Sequence, residues 1–190
     1  MKRHKIFPTL VYTLDCSDLI EPVQKLLDSI KWEDEFQGQS DDLYILQKDT
    51  DLSKDFVKRV NSTLSEINYS SSLQMTTSWF NKTYVFNGIG RHIHTNSFWS
   101  SVFYFEENCG DLFFNKDHSA ITVPVTKENV ELQMFGEMSF PAEKGTLILF
   151  PSYLPHYVEQ DNIDEPRYSL AMNYMPIGRC GDDDSTYDYR

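Results

Sequence analysis

His156 and Arg167 stand eleven residues apart in PSYLPHYVEQDNIDEPRYSLAMNY, and their types and spacing point to one chemistry. A histidine closing one strand and an arginine opening the next bring a metal ligand and an anion-binding cation to one cavity. That pairing suits an iron site that also takes a dicarboxylate. Ser169 follows Arg167 by two residues and shares its strand face. Upstream, HIHTNS holds His92 and His94 at the i, i+2 spacing that turns both imidazoles to one side of a strand. Three of the five histidines in the chain thus fall into two short clusters, each at the end of a strand-like run.

Neutral imidazoles suit Fe(II), Zn(II), Ni(II) and Cu(II), and three protein ligands on one face leave the opposite positions open for a bidentate substrate and dioxygen. The usual facial triad has two histidines and a carboxylate. Here the residue two after His92 is His94, and the residue two after His94 is Asn96. Two assignments stay open: an all-histidine triad of His92, His94 and His156, or His94 as first ligand with Asn96 or water in the carboxylate position. The competing bland readings are alternate polar residues on an exposed strand for HxH, a surface histidine for His156, and an ion pair with Asp164 or Glu165 for Arg167. Against them stands EKGTLILFPSYLPH, a glycine turn, a buried strand and a turn shaped by Pro151 and Pro155, which delivers His156 at a fixed point. The planar guanidinium of Arg167 matches a carboxylate, with the Ser169 hydroxyl as a second donor. Tyr104, in SSVFYF, is a further candidate carboxylate donor beside its reading as a core tyrosine.

These residues need a framework of strands. From Tyr69 onward, TTSWFNKTYVF, RHIH, SSVFYF, DLFF, AITVPV, VELQMF, TLILF and RYSLAMNY are short runs rich in Thr, Tyr, Phe and Val, separated by Gly and Asn. Such a series predicts an all-β sandwich or barrel. SSVFYF and TLILF are nearly continuous apolar stretches, so both their faces are covered. The cover is expected from two amphipathic helices. One spans about 18–31, with an Asp18/Glu21 capping box and Leu19, Ile20, Val23, Leu26, Leu27 and Ile30 at helical spacing. The other spans about 53–68, with Phe56, Val57, Val60, Leu64 and Ile67 on one face. KIFPTLVYTL reads as an edge strand because Pro8 removes a ladder donor. The predicted fold class is mostly β, a double-stranded β-helix or jelly roll with N-terminal packing helices, whose mouth gathers the strand-end histidines.

At 190 residues the chain fits one domain, expected over 1–180, with 181–190 (GDDDSTYDYR) an acidic mobile tail. No apolar run approaches the roughly 20 residues of a membrane span, and Pro8 interrupts the N-terminus before a signal-peptide core develops. Three scattered cysteines, Cys16, Cys109 and Cys180, give neither a disulfide framework nor a thiolate zinc site and fit a reducing cytoplasm. A net charge of −12 argues against direct nucleic-acid binding, which depends on basic groups neutralising phosphates.

The run from SWFNKTYVFNGIGRHIHTNSFWSSVFYF through GDLFF to GTLILFPSYLPHYVEQDNIDEPRYSLAMNY resembles the 2-oxoglutarate/Fe(II) oxygenases of the prolyl-hydroxylase-like superfamily. It looks closest to a small bacterial and bacteriophage group with H-x-H-x-N-S, S-G-V-Y-Y, F-P-S-W-L-x-H and R-x-S-x-x-x-N, and covers Ser78 to Tyr174. By that resemblance His92 is the first iron ligand, His156 the distal one, and Arg167 with Ser169 the pair that holds the far carboxylate of 2-oxoglutarate. Ser101 stands where many members have glycine, and Tyr153 where they have tryptophan. His94 replaces the aspartate usual in the wider superfamily. The implied activity is hydroxylation of an unidentified substrate, with Fe(II) as cofactor and 2-oxoglutarate and dioxygen as co-substrates. Two other readings fit the residues alone: a cupin-like metal enzyme without 2-oxoglutarate, and a non-catalytic jelly-roll binding or virion module.

Overall fold

A computed structural model describes residues 9–32, 38–67, 71–83, 88–107, 110–115, 136–159 and 166–190. The runs AITVPV and VELQMF, Cys109, Asp164, Glu165 and the start of KIFPTLVYTL lie outside them. Two antiparallel sheets face each other. The major sheet contains β1 (Tyr12–Asp15), β2 (Gly38–Gln39), β3 (Ser72–Thr83), β5 (Trp99–Tyr104), β8 (Thr146–Pro151) and β10 (Arg167–Cys180), in the order β1-β8-β5-β10-β3-β2. A last strand, β11 (Tyr187–Tyr189), pairs with the end of β10. The minor sheet is β4 (Ile89–His92), β9 (His156–Val158), β6 (Asp111–Asn115) and β7 (Glu137–Pro141) in that order. This is the expected jelly roll, with β1 on the expected edge.

Alternation on the central strands explains why they read as continuous apolar runs. On β5 and β8, Phe103, Leu147 and Leu149 point to one core, while Val102, Tyr104, Ile148 and Phe150 point to another between the sheets. The first core is closed by helices. α1 (Ile20–Leu27) contributes Val23 and Leu27, and α3 (Thr50–Ser65) contributes Leu52, Phe56, Val60 and Leu64, all against Phe80, Leu170 and Met172. A short α2 (Ile45–Lys48), not expected from the sequence, adds buried Ile45 and Leu46.

The helices differ from expectation in their ends. α3 begins at Thr50 because the Asp49 carboxylate accepts the Leu52 N–H at 3.1 Å, and it stops before Ile67, which is exposed. Asp18 does not cap α1. It accepts from Arg59 of α3 at 2.5 Å, and a 3-10 turn over Ser17–Leu19 leads into the helix instead. Within 181–190, Asp183–Ser185 forms a 3-10 turn and Tyr187–Tyr189 a strand, with the Tyr189 ring 6.0 Å from that of Phe98. Gly145, at φ 85°, makes the turn into β8: its N–H donates to the Tyr104 carbonyl and its carbonyl accepts from Cys16, each at 2.7 Å. Among the described residues no helix is long and apolar enough to cross a membrane.

Candidate active site

The minor sheet carries two of the three histidines. β4 ends on His92 and β9 begins on His156, and the register sets them directly opposite one another, with ring centroids 4.3 Å apart. His156 thus opens a strand rather than closing one. The sequence reading stops at the end of TLILF because the three residues HYV are too few to show a period. His94 lies two residues beyond β4, where its backbone N–H donates to the Ser152 carbonyl at 3.0 Å in the turn before β9. That bond ties the loop after one histidine strand to the turn before the other, and brings the His94 ring to 4.9 Å from His156. One ring nitrogen from each of the three histidines lies within 4.8 Å of the others, and the Nε2 atoms of His92 and His94 are 3.2 Å apart.

The opposite nitrogens set the proton positions. His92 Nδ1 is 2.8 Å from the Gly90 carbonyl, His94 Nδ1 2.5 Å from Asn173 Oδ1, and His156 Nδ1 2.9 Å from the Leu154 carbonyl. Carbonyl and amide oxygens only accept, so each Nδ1 carries the proton and each Nε2 keeps its lone pair. Charge state follows from burial. His156 is 3% exposed and desolvation holds its pKa down to about 3, with His92 and His94 adding to the depression. Burial also lowers His94, again with His92 contributing. Near neutral pH these two rings are therefore uncharged, the state in which an imidazole binds a metal.

A cavity of about 460 Å³ opens in front of the histidines. Its walls include Tyr104, Ser169, Ala171 and Asn173 from the major sheet and Ile89, Leu112 and Val158 from the minor one. Period-two alternation along β10 puts Arg167, Ser169, Ala171 and Asn173 on one face. Arg167 sits deeper, beside a narrow cleft lined also by Thr83 and Tyr168; this cleft shares Ile89, Tyr104, Val158 and Ser169 with the main cavity. Its guanidinium is held in place: Nε donates to Thr83 Oγ1 at 2.8 Å and Nη2 to the Glu159 carbonyl at 3.0 Å. The structure thus brings His92, His94, His156, Tyr104 and Ser169 to one cavity and Arg167 to its inner end. Asn96 is not among the lining residues. It is exposed, at φ 56°, in the turn that follows His94.

Sequence reasoning met Asn173 only as the last residue of the R-x-S-x-x-x-N motif and gave it no role, and it did not single out Ser100 and Ser152 behind His94, or Trp79 and Asn81 on the β3 wall. Asn173 was within reach, since it lies on the face already assigned to Arg167 and Ser169. The serines were not, because contacts between Ser100 and Ser152, 52 residues apart, leave no local pattern.

Residues 77–173, which span every candidate side chain above, match the family model described as "Putative 2OG-Fe(II) oxygenase". The chain belongs to this family. Solved structures share the fold. A 2OG-Fe(II) oxygenase family oxidoreductase from Burkholderia pseudomallei is 13% identical, covers 86% of this chain and 83% of its own, and superposes with a TM-score of 0.64. HygX from Streptomyces hygroscopicus, solved with nickel, 2-oxoglutarate and hygromycin B, is 11% identical over 88% of this chain and 83% of its own, with a TM-score of 0.54. A prolyl-4-hydroxylase from Pseudomonas putida is 12% identical over 90% and 94%, with a TM-score of 0.52. No curated protein matches the chain in sequence. The 2OG-Fe(II) oxygenase is thus a 2-oxoglutarate- and Fe(II)-dependent dioxygenase, and the donor set fits: three preoriented imidazole nitrogens converge at the edge of a cavity large enough for co-substrate.

Proposed function

We propose that His92, His94 and His156 hold Fe(II) through their Nε2 atoms, and that Arg167, Ser169 and Tyr104 receive the far carboxylate of 2-oxoglutarate in a hydroxylase acting on an unidentified substrate. The observation that carries this reading is the convergence of three Nε2 lone pairs at one end of a cavity whose other end meets a buried, immobilised guanidinium. Bound iron supplies the oxidative chemistry, in which dioxygen and 2-oxoglutarate yield succinate, carbon dioxide and a hydroxylated substrate.

The chain's own residues bind, orient and exclude. Three neutral donors leave a divalent ion with its full charge of +2, where a carboxylate ligand would reduce it to +1, so the site favours anionic co-ligands. Arg167 adds a fixed cation at the right end for a dicarboxylate, and its bonds to Thr83 and Glu159 hold the fork without reorganisation on binding. Leu112 and Val158 give the cavity an apolar wall, with Phe114 and Phe150 in the same core cluster. The primary substrate enters at the outer rim, beside Trp79, Ile93 and Thr95.

The working compartment we propose is a reducing cytoplasm, supported by Cys16 and Cys180 standing as free thiols. A net charge of −12 supports a substrate other than nucleic acid. Elemental analysis of anaerobically purified wild type and His156→Ala tests the ligand assignment. Wild type should carry one iron per chain and the variant almost none; equal iron in both would remove His156 from the site.

A further inference from the structure

Behind His94 lies a chain of buried polar groups that the other two histidines lack. His92 and His156 lean on backbone carbonyls two residues away in the chain, Gly90 in β4 and Leu154 in the turn before β9. His94 leans on a side chain from the opposite sheet, 79 residues distant in sequence. Asn173 Oδ1 is 2.5 Å from His94 Nδ1, and Asn173 Nδ2 donates to Thr77 Oγ1 of β3 at 3.1 Å. Ser100 Oγ lies 3.1 Å from the same His94 nitrogen and 2.7 Å from Asn173 Oδ1.

The hydroxyls continue away from the site. Ser100 is 2.8 Å from Ser152, Ser152 donates to Ser97 at 2.9 Å, and Ser97 donates to the Trp99 carbonyl at 2.8 Å. Ser100 and Ser152 are fully buried, so each hydroxyl proton must find an acceptor. Ser100 donates to Asn173 Oδ1, Ser152 to Ser97, and Ser97 to a backbone carbonyl. The Asn173 Oδ1 on which Ser100 converges is the same oxygen that faces His94 Nδ1, so a proton on that nitrogen has an acceptor built for it.

Resting on the triad proposed above, we infer that Asn173 is the positioning residue that makes His94 a metal ligand: its Oδ1, backed by Ser100, fixes the Nδ1–H tautomer and aims Nε2 at the site. A loop histidine beyond the end of β4 has neither the strand nor a local carbonyl to do this. The function that a carboxylate ligand performs elsewhere by its own charge is here divided between an imidazole and an amide on the facing sheet. Outer partners of this kind typically change metal affinity by roughly 10- to 100-fold when removed.

The test compares apo and Co(II)-loaded wild type with Asn173→Leu, which keeps the volume but not the acceptor, and Asn173→Asp, which keeps the acceptor. Nitrogen-15 spectra of the ring nitrogens in the apo proteins report each tautomer. Wild type and Asn173→Asp should show His94 protonated on Nδ1, whereas Asn173→Leu should show His94 alone shifting towards Nε2–H, with His92 and His156 unmoved. Co(II) titration should be weaker in Asn173→Leu by roughly 10- to 100-fold and close to wild type in Asn173→Asp. An unchanged His94 tautomer and unchanged Co(II) affinity in Asn173→Leu would overturn the inference. So would loss of affinity in Asn173→Asp equal to that in Asn173→Leu, and this arm still decides if the leucine variant does not fold. Wild type that binds no Co(II) would instead refute the triad itself.

Discussion

Replacing Arg167 with alanine perturbs two things that can be separated. The guanidinium is buried, at 9% exposure, and two of its N–H donors are engaged by Thr83 Oγ1 and the Glu159 carbonyl. Removal leaves the far carboxylate of 2-oxoglutarate without its cation. Such a loss costs on the order of 2 to 5 kcal/mol of binding. At about 1.4 kcal/mol per tenfold, 2-oxoglutarate affinity should fall roughly 30-fold or more. The buried Thr83 hydroxyl loses a donor, which should cost the fold about 1 to 3 kcal/mol as well, whereas the exposed Glu159 can turn to water. The metal, on the opposite end of the cavity, should stay. Arg167→Lys should recover only part of the affinity because an ammonium cannot form the planar two-point contact. Calorimetric titration of 2-oxoglutarate into Mn(II)-loaded protein reads the first effect, and urea unfolding of the same samples reads the second. Equal 2-oxoglutarate affinity in wild type and Arg167→Ala, with the stability loss present, would make Arg167 a structural residue only.

The remaining predictions concern the ligands, the pH response and one turn. His94→Ala should weaken metal binding about as much as His92→Ala, His94→Asp should retain iron, and Asn96→Ala should be silent because Asn96 is exposed and off the cavity wall; iron analysis of the four variants decides. For the apo protein, the folded His156 pKa of about 3 lies below the ordinary value of 6.5, so the unfolded chain takes up the proton first. Stability is therefore complete above about pH 6.5 and is lost as pH falls towards about 3. Urea midpoints across that window should fall less in His156→Leu than in wild type, and parallel profiles would contradict the assignment. Gly145→Ala should destabilise by roughly 1 to 3 kcal/mol, because it forces an L-residue to φ 85° and drives Cβ into Ser17 Oγ; an unchanged unfolding midpoint would show that this turn relaxes freely.

Much of this was legible in the chain because local patterns carried it. The unbroken apolar runs SSVFYF and TLILF announced strands covered on both faces, and the alternation from Arg167 through Ser169 announced a shared wall. What escaped depends on tertiary contact. β9 is three residues long and is defined by its partners, and α1 lost its expected cap because Asp18 has a better partner in Arg59. The Thr95–Asn96 turn leaves Asn96 exposed and off the cavity wall, a placement that HxHxN spacing leaves open. The polar chain behind His94 joins β3, β5, β10 and two loops, so no window of sequence displays it.

The most direct test of the central claim is an anaerobic titration of 2-oxoglutarate into the apo and Fe(II)-loaded protein. If three histidines hold the iron that 2-oxoglutarate chelates while Arg167 takes its far end, the loaded protein should bind one 2-oxoglutarate per chain far more tightly than the apo protein. His156→Ala should then behave as apo at any iron concentration that saturates wild type. Binding of 2-oxoglutarate that is indifferent to iron, or that survives intact in His156→Ala, would contradict the account.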